Sequence, residues 1–584
     1  MDYIWKIPHT PISDEQKNLC NKLNINPIVM QILFNRGFCN EVMINSFISQ
    51  SKPSNVIYDP NLIKDLSKAV ARIADGVKIE EKIIIYGDYD VDGITSSALL
   101  YLFFQVYRYY KKSNIEVEVI LPERVFEGYG LKKEGIVKAI EKGAKLIITV
   151  DNGTSSYEAI EYARDNNIDV IVVDHHSIPE ILPPAYAIIN TRQEECKYPF
   201  KGLSAVGLVY KLTDALSNTL LDELERKRFL ERYIDYVAIG TYQDLAPLCD
   251  ENRYFVKRGI EVIEKIKVSG QTNLRGIIEL LRVSGKINEK IDYNTLGFCI
   301  GPQINAAGRI DTPMKAFRLL TTIDLNEAKL LAKELNEINN IRKIMTKEAY
   351  EEAVLNVEGE ELYNDNIILL VSNHWHQGII GLVAQKIAET YNKSCIVMTD
   401  RDKDYYTASA RGYRDFDIGN LIKNLGKYFI YFGGHKKAAG FSMQKENLDE
   451  FRKELFRQLK NEENLSGSQE IYIDVIIDFR DLNYNLIEDL KKLEPYGESN
   501  PEPVFGILEV VIESVKESKR GLDSLIRISK NGDYFNLISF NEINYLKNFK
   551  SGDVVDVAIK ISANKNSNKD MLIQICDIRK NKII

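Results

Sequence analysis

Three aspartates crowd the seven residues Gly87-Asp88-Tyr89-Asp90-Val91-Asp92-Gly93, directly after the apolar run Ile83-Ile84-Ile85-Tyr86. Carboxylates this close raise one another's pKa unless water or a cation neutralises them, so the chemistry on offer is divalent-metal binding. An isolated Asp-x-Asp is more often a solvated turn. Here the pattern recurs: Leu146-Ile147-Ile148-Thr149-Val150 runs into Asp151-Asn152-Gly153, and Val170-Ile171-Val172-Val173 runs into Asp174-His175-His176.

Such groups need a scaffold that brings three separate segments to one place. Short, continuous apolar runs rich in Ile and Val, each followed by a helical pattern, read as buried parallel strands of an α/β sheet. Their acids then lie at the carboxyl ends of the strands, where open α/β sheets carry their sites. Asp244, after the apolar helix pattern of Tyr236 to Gln243, is either a helix cap or a fourth carboxylate.

The remaining chain divides by pattern. Residues 1–55 form a mixed helical lead-in, and 56–324 the α/β unit. Gly301-Pro302-Gln303-Ile304-Asn305-Ala306-Ala307-Gly308-Arg309 reads as a small-residue loop suited to close backbone approach. Residues 325–357 carry helical spacing without Pro or Gly and predict one long connecting helix. Residues 358–463 predict a second, smaller α/β domain, with chemistry-bearing loops at His374-Trp375-His376-Gln377-Gly378, Ser409-Ala410-Arg411-Gly412 and Gly433-Gly434-His435. Loops that expose backbone N–H groups beside His, Lys and Arg can cradle phosphate. Residues 464–584 are nearly all strand, with the turn Lys530-Asn531-Gly532-Asp533, and predict a small barrel of the OB type.

Composition narrows the class. The 584 residues, 45% hydrophobic, suffice for several cores. The start of the sequence has no charged-then-apolar segment, and no run of about 18 apolar residues follows, which predicts a cytoplasmic protein without membrane spans. Seven scattered cysteines without Cys-x-x-Cys argue against a zinc ribbon or a disulfide frame. Five of the six histidines fall in motifs: His175, His176, His374, His376 and His435. The formal charge of −8 disfavours a uniformly basic nucleic-acid binder, but leaves room for a local basic groove.

In this order, Gly87 to Gly93, Asp151-Asn152-Gly153, Asp174-His175-His176 and Gly240-Thr241-Tyr242-Gln243-Asp244 resemble the four motifs of the DHH phosphoesterases. The Trp375–Gly378, Ser409–Arg411 and Gly433–His435 stretches are similar to the associated DHHA1 domain. With Gly301–Arg309 and Leu493–Phe505 added, the resemblance is to the RecJ branch, single-strand-specific 5′ to 3′ DNA exonucleases of repair and recombination, from about residue 56 to the end.

That resemblance implies that Asp90, Asp92, Asp151, His175 and Asp244 hold two divalent cations, Mn²⁺ preferred and Mg²⁺ accommodated, with Asp151 bridging and Asp88 in support. Two ions about 3.5–4 Å apart steady the attacking and leaving oxygens of an in-line displacement. It further implies His176 beside the scissile phosphate, with Arg309 and His435 holding it. Arg124, Ser409 and Arg411 would grip the 5′ end, and Gln303, His376, Gly433 and Gly434 would line the strand's path between the two α/β domains. A monomer acting on single-stranded DNA, with a helicase and a single-strand-binding protein as partners, completes the expectation. Two residues depart from the family pattern: Gln303 where arginine is usual, and Ser499 where glycine is. The alternatives are a DHH phosphodiesterase of short oligonucleotides or cyclic dinucleotides, for which the chain is long, and a non-catalytic single-strand-binding scaffold, against which the intact acids argue.

Overall fold

The computed structural model describes residues 4–8, 13–49, 57–123, 130–269, 275–400, 402–460, 470–517, 523–540, 549–563 and 571–580. The chain forms two compact units: 58–246 with 258–465, and 1–57 with 247–257 and 466–584.

The larger unit begins with five parallel strands, β1 (Ile83–Tyr86), β2 (Val117–Ile120), β3 (Leu146–Val150), β4 (Asp169–Val173) and β5 (Ala187–Ile189), in the order β2-β1-β3-β4-β5. Every residue of β1 and β3 is buried, which explains their unbroken apolar character. One face packs Ile84, Ile147, Val170 and Val172 against Ile136, Ala139, Ala159, Ile160 and Ala163 of two crossover helices. Three further helices bear on the site: α1 (Val91–Lys111), α2 (Ala205–Leu220) and α3 (Ile234–Gln243).

The Gly301–Arg309 stretch is not a loop. It is a helix, α4 (Gly301–Ile310), entered through one π turn at Leu296–Ile300. Its small residues serve helix packing: a Cβ on Gly308 would stand 2.3 Å from the carbonyl oxygen of Tyr89, in the middle of the aspartate turn.

The long helix α5 (Leu325–Gly359) starts where the spacing places it and runs two residues past the expected end. Its N-cap Asp324 accepts from the amides of Asn326 (2.6 Å) and Glu327 (2.9 Å). At 35 residues it is about 52 Å long.

Beyond it lies a second sheet of β6 (Ile368–Ser372), β7 (Cys395–Asp400), β8 (Tyr405–Arg411), β9 (Phe429–His435) and β10 (Ala438–Gln444), ordered β9-β10-β8-β7-β6. One face packs Ile396, Met398, Phe441 and Met443 against Phe451, Leu455 and Leu459. On the other, Ile368, Leu370, Cys395 and Val397 meet α6 (Ile380–Tyr391) and the end of α5. The Ser409–Arg411 and Gly433–His435 stretches, expected as loops, are strand ends in this sheet.

In the smaller unit, strands Phe505–Glu517, Asp523–Lys530, Asp533–Phe540, Met571–Lys580 and Val554–Ala563 close into a five-stranded barrel through pairing of the first and last. Asn531 and Gly532, with φ of 53° and 91°, form the two-residue hairpin that Asn-Gly favours. The lead-in belongs to this unit. Strand Ile4–Lys6 pairs in parallel with Glu470–Tyr472, and the Trp5 indole donates to Asp577 Oδ2 at 2.7 Å. Fully buried Arg253 donates to the carbonyls of Phe47, Lys492, Leu493, Glu494 and Pro495. Ser499 has φ of 61°, the left-handed region that favours glycine.

Gly308→Ala should lower unfolding free energy by about 1–3 kcal/mol, because a rigid carbonyl blocks the new methyl. Gly359→Ala, where a Cβ meets nothing within 4 Å, is the control and should not destabilise; denaturant melts of both variants check the pair.

Candidate active site

Strand β1 delivers its acids through a turn that only glycine can close. A Cβ on Gly93 would lie 2.6 Å from the Asp88 backbone N and O. Asp90 is the N-cap of α1 and accepts from the Gly93 amide at 3.0 Å. Asp92, one residue into the first turn, is 1% exposed. Its two oxygens accept from the amides of Ala205 (2.8 Å) and Val206 (2.9 Å) at the start of α2. That helix N-terminus favours a carboxylate. Burial, then the neighbouring Asp90 charge, nonetheless push Asp92 up to about 7.

At the end of β3, Asp151 takes a φ of 64°, a conformation Asp tolerates better than most residues. The Asn152 amide donates to the carbonyls of Val150 (3.0 Å) and Tyr86 (3.4 Å) and so ties β3 to β1. Asp244 is the residue that ends α3.

These pieces converge. Asp88, Asp90 and Asp151 each bring an oxygen within 4.8 Å of the others, and Asp92, His175 and Asp244 do the same with their ligand atoms. Asp151, His175 and His176 form a third such group, which joins the first two. His175 Nε2 stands 3.2 Å from Asp151 Oδ1, and its Nδ1 3.6 Å from Asp244 Oδ2.

The electrostatics fit a cation. Burial, then Asp90, Asp92, Asp88 and Asp244, push the Asp151 carboxyl well above its usual range. Burial, then Asp92 and Asp90, do the same to Asp244. Burial and then the His176 charge push His175 down to about 3, leaving a neutral imidazole. Its Nε2 is buried and makes no hydrogen bond among the described residues. A neutral ring nitrogen facing a crowd of frustrated carboxylates is the donor set that divalent ions such as Mn²⁺ take.

His176 differs from its neighbour. Its Nδ1 lies 2.7 Å from Asp174 Oδ1. Burial alone would lower its pKa, but the Asp174 bond and charge prevail and raise it. Asp174 is buried too, yet His176 and the Thr154 amide at 3.0 Å hold it well below the usual carboxylate range. The orienting role of Asp174 and the nearby cation Arg192, whose charge lowers Asp244 and His175, were not apparent from the sequence. An Asp two residues before a candidate His was the signal for the first.

The second domain brings its own groups. Burial, then the charges of Arg411 and His176, lower His435, so these three share one electrostatic neighbourhood. Arg411 Nη1 donates to Ser409 Oγ at 2.9 Å. Arg309, in the last turn of α4, donates to the Gly378 carbonyl at 3.3 Å. His376 Nδ1 accepts from the Gly378 amide at 3.1 Å. Glu352 of α5 lies 3.0 Å from both His374 Nε2 and Trp375 Nε1, which fixes this loop on the long helix.

One expectation is corrected. Gln303 is 2% exposed, and its amide donates to Ser284 Oγ (2.8 Å) and the Cys299 carbonyl (2.9 Å). An uncharged side chain one helical turn from a carbonyl satisfies itself inside the bundle, where an arginine would have to reach out. Arg124 lies outside the described residues.

Three family models match along the chain: the DHH family, N-terminal domain, over residues 82–241; the DHHA1 domain over 364–461; and the RecJ OB domain over 473–577. Fold and site together thus define a DHH-type phosphoesterase. Over 572 residues the chain is 32% identical to the single-stranded-DNA-specific exonuclease RecJ of Bacillus subtilis, spanning 97% of this chain and 69% of that one. It is 30% identical to the Escherichia coli RecJ over 533 residues, 88% of this chain and 90% of that one. The chain belongs to the RecJ family of single-stranded-DNA-specific exonucleases. In fold it is similar to the Thermus thermophilus RecJ in complex with Mn²⁺, with a TM-score of 0.80 at 23% identity, covering 99% of this chain and 80% of that one. A second structure, of an exonuclease RecJ bound to manganese, gives 0.57 at 26% identity over 68% of this chain and 95% of that one.

The raised carboxyls set a pH dependence. They ionise near 4 in an unfolded chain, so without metal they favour folding below about pH 4 and lose that contribution as the pH rises through their raised values, about 7 for Asp92. Mn²⁺ must displace their protons. Added Mn²⁺ should therefore raise the melting temperature more at pH 8 than at pH 5, and calorimetry at pH 7 should register proton release. Equal shifts at both pH values would contradict this.

Proposed function

We infer that this protein hydrolyses phosphodiester bonds of single-stranded DNA from the 5′ end, releasing 5′-mononucleotides in DNA repair and recombination. The observation that carries the reading is the convergence of Asp88, Asp90 and Asp151 with Asp92, His175 and Asp244 at the carboxyl ends of one parallel sheet. Asp90, Asp92, Asp151, His175 and Asp244, with Asp88 beside them, would hold two divalent cations. When bound, such ions supply charge neutralisation for both the attacking and the leaving oxygen of an in-line displacement.

The protein's own residues do the rest. His176, oriented by Asp174 and raised in pKa, carries a proton that it can place near the scissile phosphate. His435 from the second domain, and Arg309 at the end of α4 where it meets that domain's Gly378, hold that phosphate. Arg411, braced by Ser409, takes the 5′ end, with Arg124 as a further contact. Gly433, Gly434 and His376 line the path, from which duplex is excluded. The barrel adds stacking and phosphate contacts along the strand. A monomer in the cytoplasm, supplied with unwound DNA by a helicase and a single-strand-binding protein, fits this activity.

Asp151→Asn, which keeps shape and removes a ligand charge, should abolish Mn²⁺-dependent release of nucleotides from 5′-labelled single strands while leaving the melting curve of the metal-free protein intact or raised. Full activity in that variant would sink the metal reading.

Arg411→Ala should cut the use of 5′-phosphorylated DNA by tenfold or more, roughly the worth of a charge-assisted bond, and of 5′-hydroxyl DNA by much less. Steady-state kinetics on the two substrates decide it, and equal losses would move Arg411 off the terminus.

A further inference from the structure

Helix α6 covers one face of the second sheet over β6, β7 and the end of β8, where a Cβ on its Gly381 would stand 2.7 Å from Arg411 Nη2 and 3.0 Å from Ser409 Oγ; it leaves the edge strand β9 open. On the β6–β7 half, Cys395 and Val397 are buried under α6. Across the antiparallel register, Cys395 and Val397 stand opposite Arg411 and Ser409. Arg411, Ser409 and Thr407 stand opposite Ala438, Gly440 and Ser442. Those in turn stand opposite His435, Gly433 and Tyr431 on the edge strand β9. Directly opposed residues of antiparallel strands present their side chains on one face. That face therefore carries His435, Ala438 and Arg411 in one row, Gly433, Gly440 and Ser409 in the next, and Tyr431, the fully buried Ser442 and Thr407 in the third, and it is open on the β9 side.

The middle row is nearly bare. A Cβ on Gly433 would meet nothing within 4 Å, and one on Gly440 only the Ala408 carbonyl at 3.4 Å. Tyr431 and His435 are four residues apart on one strand, about 13 Å between Cα atoms. Between them lies a flat floor of nucleoside size. At one end it carries the imidazole and guanidinium that share a neighbourhood with His176. At the other stands the Tyr431 ring, 45% exposed, with Lys132 Nζ 5.4 Å over it.

We propose that Tyr431 is a stacking platform for the base of the 5′-terminal nucleotide. That nucleotide's phosphates are held along the His435–Arg411 row, its sugar lies over the Gly433–Gly440 floor, and its base rests against the tyrosine. The occupant follows from the surroundings: an anion is called for by the charges of Arg411 and Lys132, and a planar apolar group by the ring and the missing side chains. Every base has a π face, so such a platform grips each terminal nucleotide in turn without preferring a sequence. Lys132 adds a cation at the same edge, for a neighbouring phosphate. This inference rests on the exonuclease reading of the site.

The test uses the full chain with Asp151→Asn to stop cutting, in Mn²⁺, and 5′-phosphorylated single strands that either carry a base or are abasic at the first, second or third nucleotide. Fluorescence anisotropy gives Kd for the parent, Tyr431→Ala and Tyr431→Phe. Tyr431→Ala should weaken binding of the base-bearing strand roughly five- to hundredfold, the range of base–aromatic stacking. It should leave the strand abasic at its first nucleotide unaffected, which also reports an intact fold. Tyr431→Phe should bind like the parent. Equal losses on all strands, coupling only at the second or third nucleotide, or no loss at all would overturn the proposal. A parent that binds no single strand would fail the exonuclease reading and this inference with it.

Discussion

Carboxylates that cannot all be ionised at once are the constraint around which the larger unit is arranged. Asp88, Asp90, Asp92, Asp151 and Asp244 gather in a space that excludes much of the water that would screen them. Each nearby device reads as a response. The N-terminal amides of α2 meet Asp92, the left-handed turn at Asp151 is tied down through Asn152, and Asp174 spends its charge on His176 rather than on the cluster. The two adjacent histidines are pushed in opposite directions, His175 down by burial and the His176 charge, and His176, against burial, up by its bond to Asp174.

That arrangement was legible in outline. Continuous apolar runs mark buried strands because both faces must be covered, and acids at their ends mark the face where a site can open. The long helix and the Asn531-Gly532 hairpin were equally plain, since spacing and turn chemistry are local properties. Glycine was the weak point. In Gly301–Arg309 and in Gly433–His435 the same residue type that suggests a loop serves close approach instead: Gly308 lets a helix sit on the Tyr89 carbonyl, and Gly433 keeps a strand bare. Sequence cannot tell these uses apart, because the deciding neighbour is far along the chain. Gln303 was misread for a related reason, since its partners Ser284 and Cys299 are ordinary residues until the helices pack. The part played by residues 1–55 was hidden likewise, their strand partner lying beyond residue 469.

The discontinuous smaller unit has a consequence for the order in which the protein can form. Its first 57 residues leave the ribosome with their strand partner, the carbonyls that Arg253 will cap and the barrel itself still unmade, about 400 residues downstream. At ordinary elongation rates of about 5–20 residues per second, that wait is roughly 20–80 s. The central unit, whose strands and helices are contiguous apart from one short excursion at residues 247–257, can complete its core in the meantime. Helices Asp14–Leu23, Pro27–Asn35 and Glu41–Ser49 must then remain soluble as an unfinished amphipathic segment. This makes residues 14–49, rather than the acidic centre, the stretch that stays exposed while its partners are still being made.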